Sequence, residues 1–229
     1  MSFLACLPLI AADIPAVLAL DQRCLGGLWT YSGYQRELES DLSDLCVLVS
    51  AKTAAPLRQR QLRQRQLQTL NSATLENSAT LEPGLCDLAA RDPTEPDVSL
   101  LQLLGIGCLW AILEEAHITT LAIEPSYQGQ KLGLLLLTHL LSMGRDRGLT
   151  RATLEVRTSN TRALSLYQKF DFAEAGQRKR YYADGENARI LWRSGLQSEQ
   201  CLRQISQYQQ SAIAHIQQQG KHTVFSENT

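Results

Sequence analysis

Two stretches decide how this chain folds: PSYQGQKLGLLLL, Pro125–Leu137, and LEVRTSNTRALSLYQKFDF, Leu154–Phe172. The first joins an apolar run, Ala116–Ile123, to leucines at helical spacing (Leu134, Leu137, Leu140, Leu141). Gly129 and Gly133 free the backbone to bend between them. A strand-to-helix turn with converging amide N–H groups is therefore expected. The helix N-terminus adds a positive dipole end, so the segment suits a phosphate or pyrophosphate. It lacks the GK[ST] of a P-loop and the GxGxxG of a dinucleotide fingerprint, and the same residues also suit a plain tight turn. In the second stretch, Thr150–Arg157 alternates: Ala152, Leu154 and Val156 face one side, Thr153, Glu155 and Arg157 the other. Asn160 is placed to cap a helix running to about Lys169. That helix carries Asn160 and Tyr167 on one face. A carboxylate, an amide and a phenol are thus gathered near one cleft. A carboxylate takes a proton from an amine, directly or through water, and a phenol returns one to a leaving thiolate. Glu155 equally fits a strand carboxylate paired with Arg157 or Arg151, and Tyr167 a core ring.

Working outward, Leu4–Ile10 reads as a strand, and Asp13 as the cap of a helix from Ile14 with Pro15 in its first turn. Gly26-Gly27 ends that helix; a second follows with Tyr34, Leu38 and Leu42 in register, then a strand at Leu45–Ser50. Leu103–Trp110 and Ala116–Ile123 read as strands joined at Glu114-Glu115. A helix spans Gly133–Arg147 with Gly148 at its C′ position. Strands near Phe172–Arg178 and Ala188–Trp192 are linked at Asp184-Gly185. The order β-α-α-β, insertion, β-β-α-β-α-β-β predicts an α+β (mixed α/β) fold, a mixed sheet with helices on its faces.

The insertion, about 54–97, contains LRQRQLRQRQLQ (Leu57–Gln68), two tandem copies of NSATLE (Asn71–Glu82), and Pro83, Pro93 and Pro96. It is expected to be a solvated, partly helical low-complexity loop. Arg58, Arg60, Arg63 and Arg65 make it the one candidate contact for RNA. Residues 1–195 are read as one domain interrupted by this insertion. Residues 196–229 are read as a Gln-rich tail, a surface helix to Gln219 and then disorder.

The 229 residues balance 22 Lys plus Arg against 23 Asp plus Glu, which argues against a globally basic nucleic-acid binder. With 44% apolar residues most of the chain can bury a core. No apolar run approaches the roughly 18 residues of a membrane span. The N-terminus lacks the Lys or Arg that opens a signal peptide, so a cytoplasmic protein is expected. Six widely spaced cysteines without CxxC, and four histidines without an i,i+4 pair, predict ordinary buried thiols and no metal.

Together the two stretches resemble the GNAT superfamily of acetyl-CoA-dependent N-acetyltransferases, and within it the RimI type, the ribosomal-protein-alanine N-acetyltransferases. LEVR-x-SN-xx-A-xx-LY carries the likeness, as does GQRKRYY (Gly176–Tyr182) followed by DGENA. It runs over residues 1–195 apart from the insertion. The resemblance implies a central mixed sheet splayed between its fourth and fifth strands, with acetyl-CoA as donor and no metal. The backbone of Leu121, Ala122 and Ile123 would pair with the pantetheine arm. Gln128, Gly129, Gln130, Lys131, Leu132, Gly133 and Leu134 would hold the pyrophosphate. Asn160 would bond the cofactor near its pantetheine end. Glu155 would be the general base and Tyr167 the acid. Arg178, Tyr181 and Tyr182, with the loop carrying Trp29 and Tyr31, would line the acceptor groove. Lys131 stands where the family's loop has its first Gly, and Asp171 where it has the Gly of a Gly-Phe pair. Positive φ there would cost a Lys roughly 1 kcal/mol in strain. The implied acceptor is the N-terminal alanine of ribosomal protein S18. A small amine, a lysine side chain or a non-catalytic acyl-CoA-binding module are the alternatives. A monomer is expected.

Overall fold

The structure, a computed structural model, describes residues 2–76 and 100–224. Alternating apolar residues build most of a single sheet. Its strands are β1 (Ser2–Pro8), β2 (Ser43–Ala51), β3 (Gln102–Ile112), β4 (Glu115–Ile123), β5 (Arg151–Arg157), β6 (Ala173–Arg178), β7 (Ala188–Arg193) and β8 (Lys221–Thr223). They lie in the order β6-β7-β5-β4-β3-β2-β1-β8. The β4–β5 and β1–β8 pairs are parallel and the others antiparallel.

Helices cover both faces. On one side α1 (Ile14–Leu25), α2 (Tyr31–Leu38) and α3 (Ala55–Glu76) pack through Ile14, Val17, Leu20, Tyr34 and Leu57 onto Val47, Val49, Ile106 and Cys108. On the other lie α4 (Leu132–Asp146), α5 (Thr161–Gln168) and α6 (Glu199–Gln218). There Leu136, Leu137, Leu140 and Leu141 meet Leu48, Leu104, Leu109 and Ile118. α4 can approach β3 closely because Gly107 has no side chain: a Cβ there would lie 3.1 Å from the Leu140 methyls.

One irregularity positions the site. β3 and β4 pair Leu109 with Ile118 and Cys108 with Thr120, so Thr119 is an extra, bulged residue. A bulge bends and twists its strand. The parallel ladder to β5 stops there, its last pair being Ile118 with Leu154. The fourth and fifth strands therefore part, and beyond the bulge Ile123 faces the α4 layer while Ala122 faces the α1 layer.

Two expectations are corrected. The first half of the insertion forms the helix α3, which reaches the core through Leu57 and Arg60. Arg60 is 1% exposed and donates to both carboxylate oxygens of Asp13 and to the Pro8 carbonyl. Asp13 therefore makes no side-chain cap on α1; it accepts from the Ile10 amide and from Arg60. A guanidinium fork matches a carboxylate better than one backbone amide does. Where disorder was expected after Gln219, the described residues include an ordered strand, Lys221–Thr223. α6 buries Cys201, Ile205, Ala212 and Ile216 against the α4 layer, and β8 pairs with β1. The second copy of NSATLE and Pro83, Pro93 and Pro96 lie outside the described residues.

Candidate active site

The turn between β4 and α4 bends as its glycine foretold. Gly129 adopts φ +81° with open space around it. Lys131, the N-cap of α4, adopts φ +58°, so the lysine does occupy a left-handed position. Asp171 does likewise at φ +57°, and its carboxylate accepts from Gln204 at 2.6 Å. The Gln128 side chain folds back to donate to the Ile123 carbonyl at 3.1 Å and accepts from Arg162 at 3.0 Å.

Beside this turn lies a cavity of about 350 Å³. Leu121, Ile123, Leu134, Ala163 and Leu166 give it apolar walls, and Lys131, Arg162 and Lys169 give it cations. Gln128, Gly129, Leu132, Gly133 and Asn160 also line it. Among the residues expected at the cofactor, Gln130 and Ala122 do not. Gln130 accepts from Lys221 of β8 at 2.5 Å, and Ala122 is buried in the opposite layer. Asn160 caps α5 by accepting from the Ala163 amide at 3.0 Å. The donor set fits coenzyme A in kind: a helix N-terminus and cations for a diphosphate, an apolar wall for a pantetheine stem.

Glu155 and Tyr167 do not line this cavity. Glu155 is the first residue of β5 past the last pair with β4, so it stands where the strands part. Its side chain is 9% exposed and accepts from His117 Nε2 and Arg178 Nε, each at 3.0 Å. The bond from His117 first, and then the Arg178 charge, hold its carboxyl below the usual range, against the opposing effect of burial. The simple pairing with Arg157 or Arg151 does not occur. Arg157 instead joins Asp184 and Glu186 at 2.7 and 2.8 Å and lies 3.9 Å over the Tyr182 ring. Tyr167 is buried against Phe172, their ring centroids 5.7 Å apart, and burial pushes its phenol well above the usual tyrosine range. Tyr182 is the near neighbour of both groups, feeling the charge of Glu155 and perturbing Tyr167.

On the α1 side of Glu155, sequence reasoning placed Trp29 at the acceptor groove but missed Trp110 and His117 beside it. His117 packs on Trp110 at 6.2 Å between ring centroids, Trp110 meets Trp29 at 6.0 Å, and Trp29 stacks on Tyr34 at 5.6 Å. Trp110 donates to Glu37 at 2.6 Å. Asp21, fully buried, accepts the Leu28 and Trp29 amides at 3.1 and 2.9 Å and so sets the α1–α2 loop. Tyr31 is half exposed at the start of α2, and Tyr181, also half exposed, packs edge-on against Tyr182. Alternation along β4 marks His117 as facing this side, but only the β4–β5 register brings it to Glu155.

The acetyltransferase (GNAT) family model matches residues 59–172. That stretch is a GNAT acetyltransferase domain. A Bacillus subtilis (strain 168) protein, provisionally named a ribosomal protein bS18-alanine N-acetyltransferase, is 42% identical over 91 residues. That match covers 39% of this chain and 60% of the relative. The ribosomal protein bS18-alanine N-acetyltransferase of Escherichia coli (strain K12) is 42% identical over 82 residues, 35% of this chain and 55% of the relative. The chain thus matches little more than half the length of these relatives. The crystal structure of the ribosomal-protein-S18-alanine N-acetyltransferase from Escherichia coli superposes with a TM-score of 0.55 at 23% identity. It covers 85% of this chain and 94% of that one, a likeness of fold. Among the described residues no helix is long and apolar enough to cross a membrane.

Proposed function

We propose that this GNAT domain transfers an acetyl group from acetyl-CoA to the N-terminal α-amine of a protein, with the N-terminal alanine of ribosomal protein S18 as acceptor. The observation that carries the reading is the parting of β4 from β5 after Ile118 and Leu154. The cationic cavity lies on one side of this parting, and Glu155 stands at the same gap. The names of the bacterial relatives supply the acceptor.

Acetyl-CoA supplies the acetyl group as a thioester. The amides of the Gly129–Leu134 turn and the start of α4 hold its diphosphate, and Leu121 and Ile123 flank its stem. Glu155, ionised because His117 and Arg178 both bond it, receives the ammonium proton through water. Tyr167, protonated throughout the physiological range, donates to the departing sulfur. Cys24 Sγ lies 3.5 Å from the Ile123 carbonyl, but burial raises its thiol and makes it a poor nucleophile. Transfer is therefore direct, without an acyl-enzyme. Trp29, Trp110 and His117 wall the acceptor side, with Arg178, Tyr181 and Tyr182 opposite.

The test is an acetylation assay on peptides with free N-termini, read by mass shift. A 42 Da gain on the peptide beginning as mature S18 is expected. Transfer only to lysine side chains or small amines in a matched panel replaces the acceptor. No transfer to anything, with coenzyme A still bound, leaves a non-catalytic acyl-CoA module.

A further inference from the structure

The outer wall of the cavity belongs to a helix beyond the reach of the family match, which ends at residue 172. α6 contributes Tyr208 and Ser211, three residues apart and so on one face. Tyr208 is braced by Phe170, their centroids 4.9 Å apart. Ser211 Oγ accepts from Lys131 Nζ at 3.2 Å. The segment just after α6 holds the turn as well: Lys221 Nζ bonds Gln130 and lies 5.3 Å over the Tyr127 ring. The C-terminal segment thus grips the anion turn at Tyr127, Gln130 and Lys131.

The cavity is polarised. Leu121 and Ile123, at the parted strands, are apolar and close to the chemistry. Lys131 stands beside α6, bonded to the Ser211 hydroxyl, and Tyr208 of the same helix lines the same cavity. A left-handed lysine costs backbone strain that a glycine avoids. Its retention here is accounted for if the ammonium, tethered at the rim by Ser211, is kept for a phosphate.

We propose that α6 reads the nucleotide half of coenzyme A, Tyr208 offering its ring to the base while Ser211 and Lys131 hold a phosphate. The inference rests on the acetyl-CoA reading above. Titration calorimetry of the full chain with coenzyme A, and with S-acetyl-pantetheine, which lacks the nucleotide, tests it. Ser211→Glu places a carboxylate beside Lys131 at a partly exposed site and is expected to raise the Kd for coenzyme A by tenfold or more. Tyr208→Leu, which keeps apolar packing on Phe170, is expected to raise it about tenfold, the scale of one lost base–ring stack. The Kd for S-acetyl-pantetheine is expected to stay at the wild-type value in both. Wild-type affinity for coenzyme A in Ser211→Glu overturns the inference, as does an equal loss for both ligands. Failure of the unsubstituted chain to bind coenzyme A overturns the donor reading itself, and this inference with it.

Discussion

Glu155 is held by two donors, and that arrangement makes it a carboxylate that stays charged, not one poised near neutrality. The proton-accepting role proposed for it therefore depends on position and on an acceptor amine of ordinary pKa, near ~8. The expected pH profile follows: kcat/KM rises tenfold per unit from pH 6 until the amine is free near ~8, with no limb from Glu155 above the ordinary carboxylate range. A limb at pH 5–6 that disappears in Glu155→Gln contradicts this. Glu155→Gln is expected to lower kcat by ~10²-fold with coenzyme A affinity retained. Tyr167→Phe, which keeps the ring on Phe172, is expected to cost a similar factor; stopped-time assays with a free-N-terminus peptide measure both. Lys131 and Asp171 show the sequence logic at the same scale. Both stand where the resemblance implies a glycine, and both are left-handed; Asp171 is tied to α6 by Gln204.

At the scale of elements, α3 is attached by a buried pair. Removing one partner leaves an uncompensated charge, so Asp13→Ala is expected to destabilise the protein by ~3–5 kcal/mol in urea unfolding. The double change Asp13→Leu with Arg60→Met is expected to recover much of that, because two apolar side chains carry no desolvation cost. A loss below ~1 kcal/mol for Asp13→Ala would mean that α3 is not anchored by the pair. The α1–α2 loop has its own anchor in Asp21, whose carboxylate organises two amides ahead of the Trp29 ring. Asp21→Ala is expected to raise KM for the acceptor peptide while leaving the calorimetric Kd for coenzyme A unchanged.

At the scale of the whole molecule, two carboxylates that respond to acid, Asp184 and Glu186, lie in the segment between β6 and β7. Glu186 is held down to about 2 by the Arg157 guanidinium and the Ser159 amide. Asp184 is also lowered, first by the Glu186 amide and then by Arg157. A depressed folded-state pKa contributes stability that is complete above the ordinary carboxylate value and lost as pH falls through the folded one. The segment is therefore expected to loosen between about pH 4.5 and 2. Tyr181 and Tyr182 ring signals followed by NMR check this: movement confined to pH above 5 contradicts it. The sheet that this segment extends was legible in advance. Strand alternation, the Leu134–Leu141 face and the glycine bend are local patterns, and local patterns report periodicity and turn geometry directly. Arg60 was misread as solvated because a run of Arg and Gln looks polar whichever face is buried; only the Asp13 carboxylate waiting across 47 residues makes burial affordable. His117, Tyr208 and Ser211 were missed for the same reason. Their neighbours come from a strand register and a helix packing that no local period encodes. The amino-acid order by itself determined a bent anion turn ahead of a Leu-rich helix and an alternating strand carrying Glu155. Tertiary structure alone decided which groups hold that carboxylate, and that a C-terminal helix closes the cavity, because those contacts arise only when the sheet's two layers are assembled.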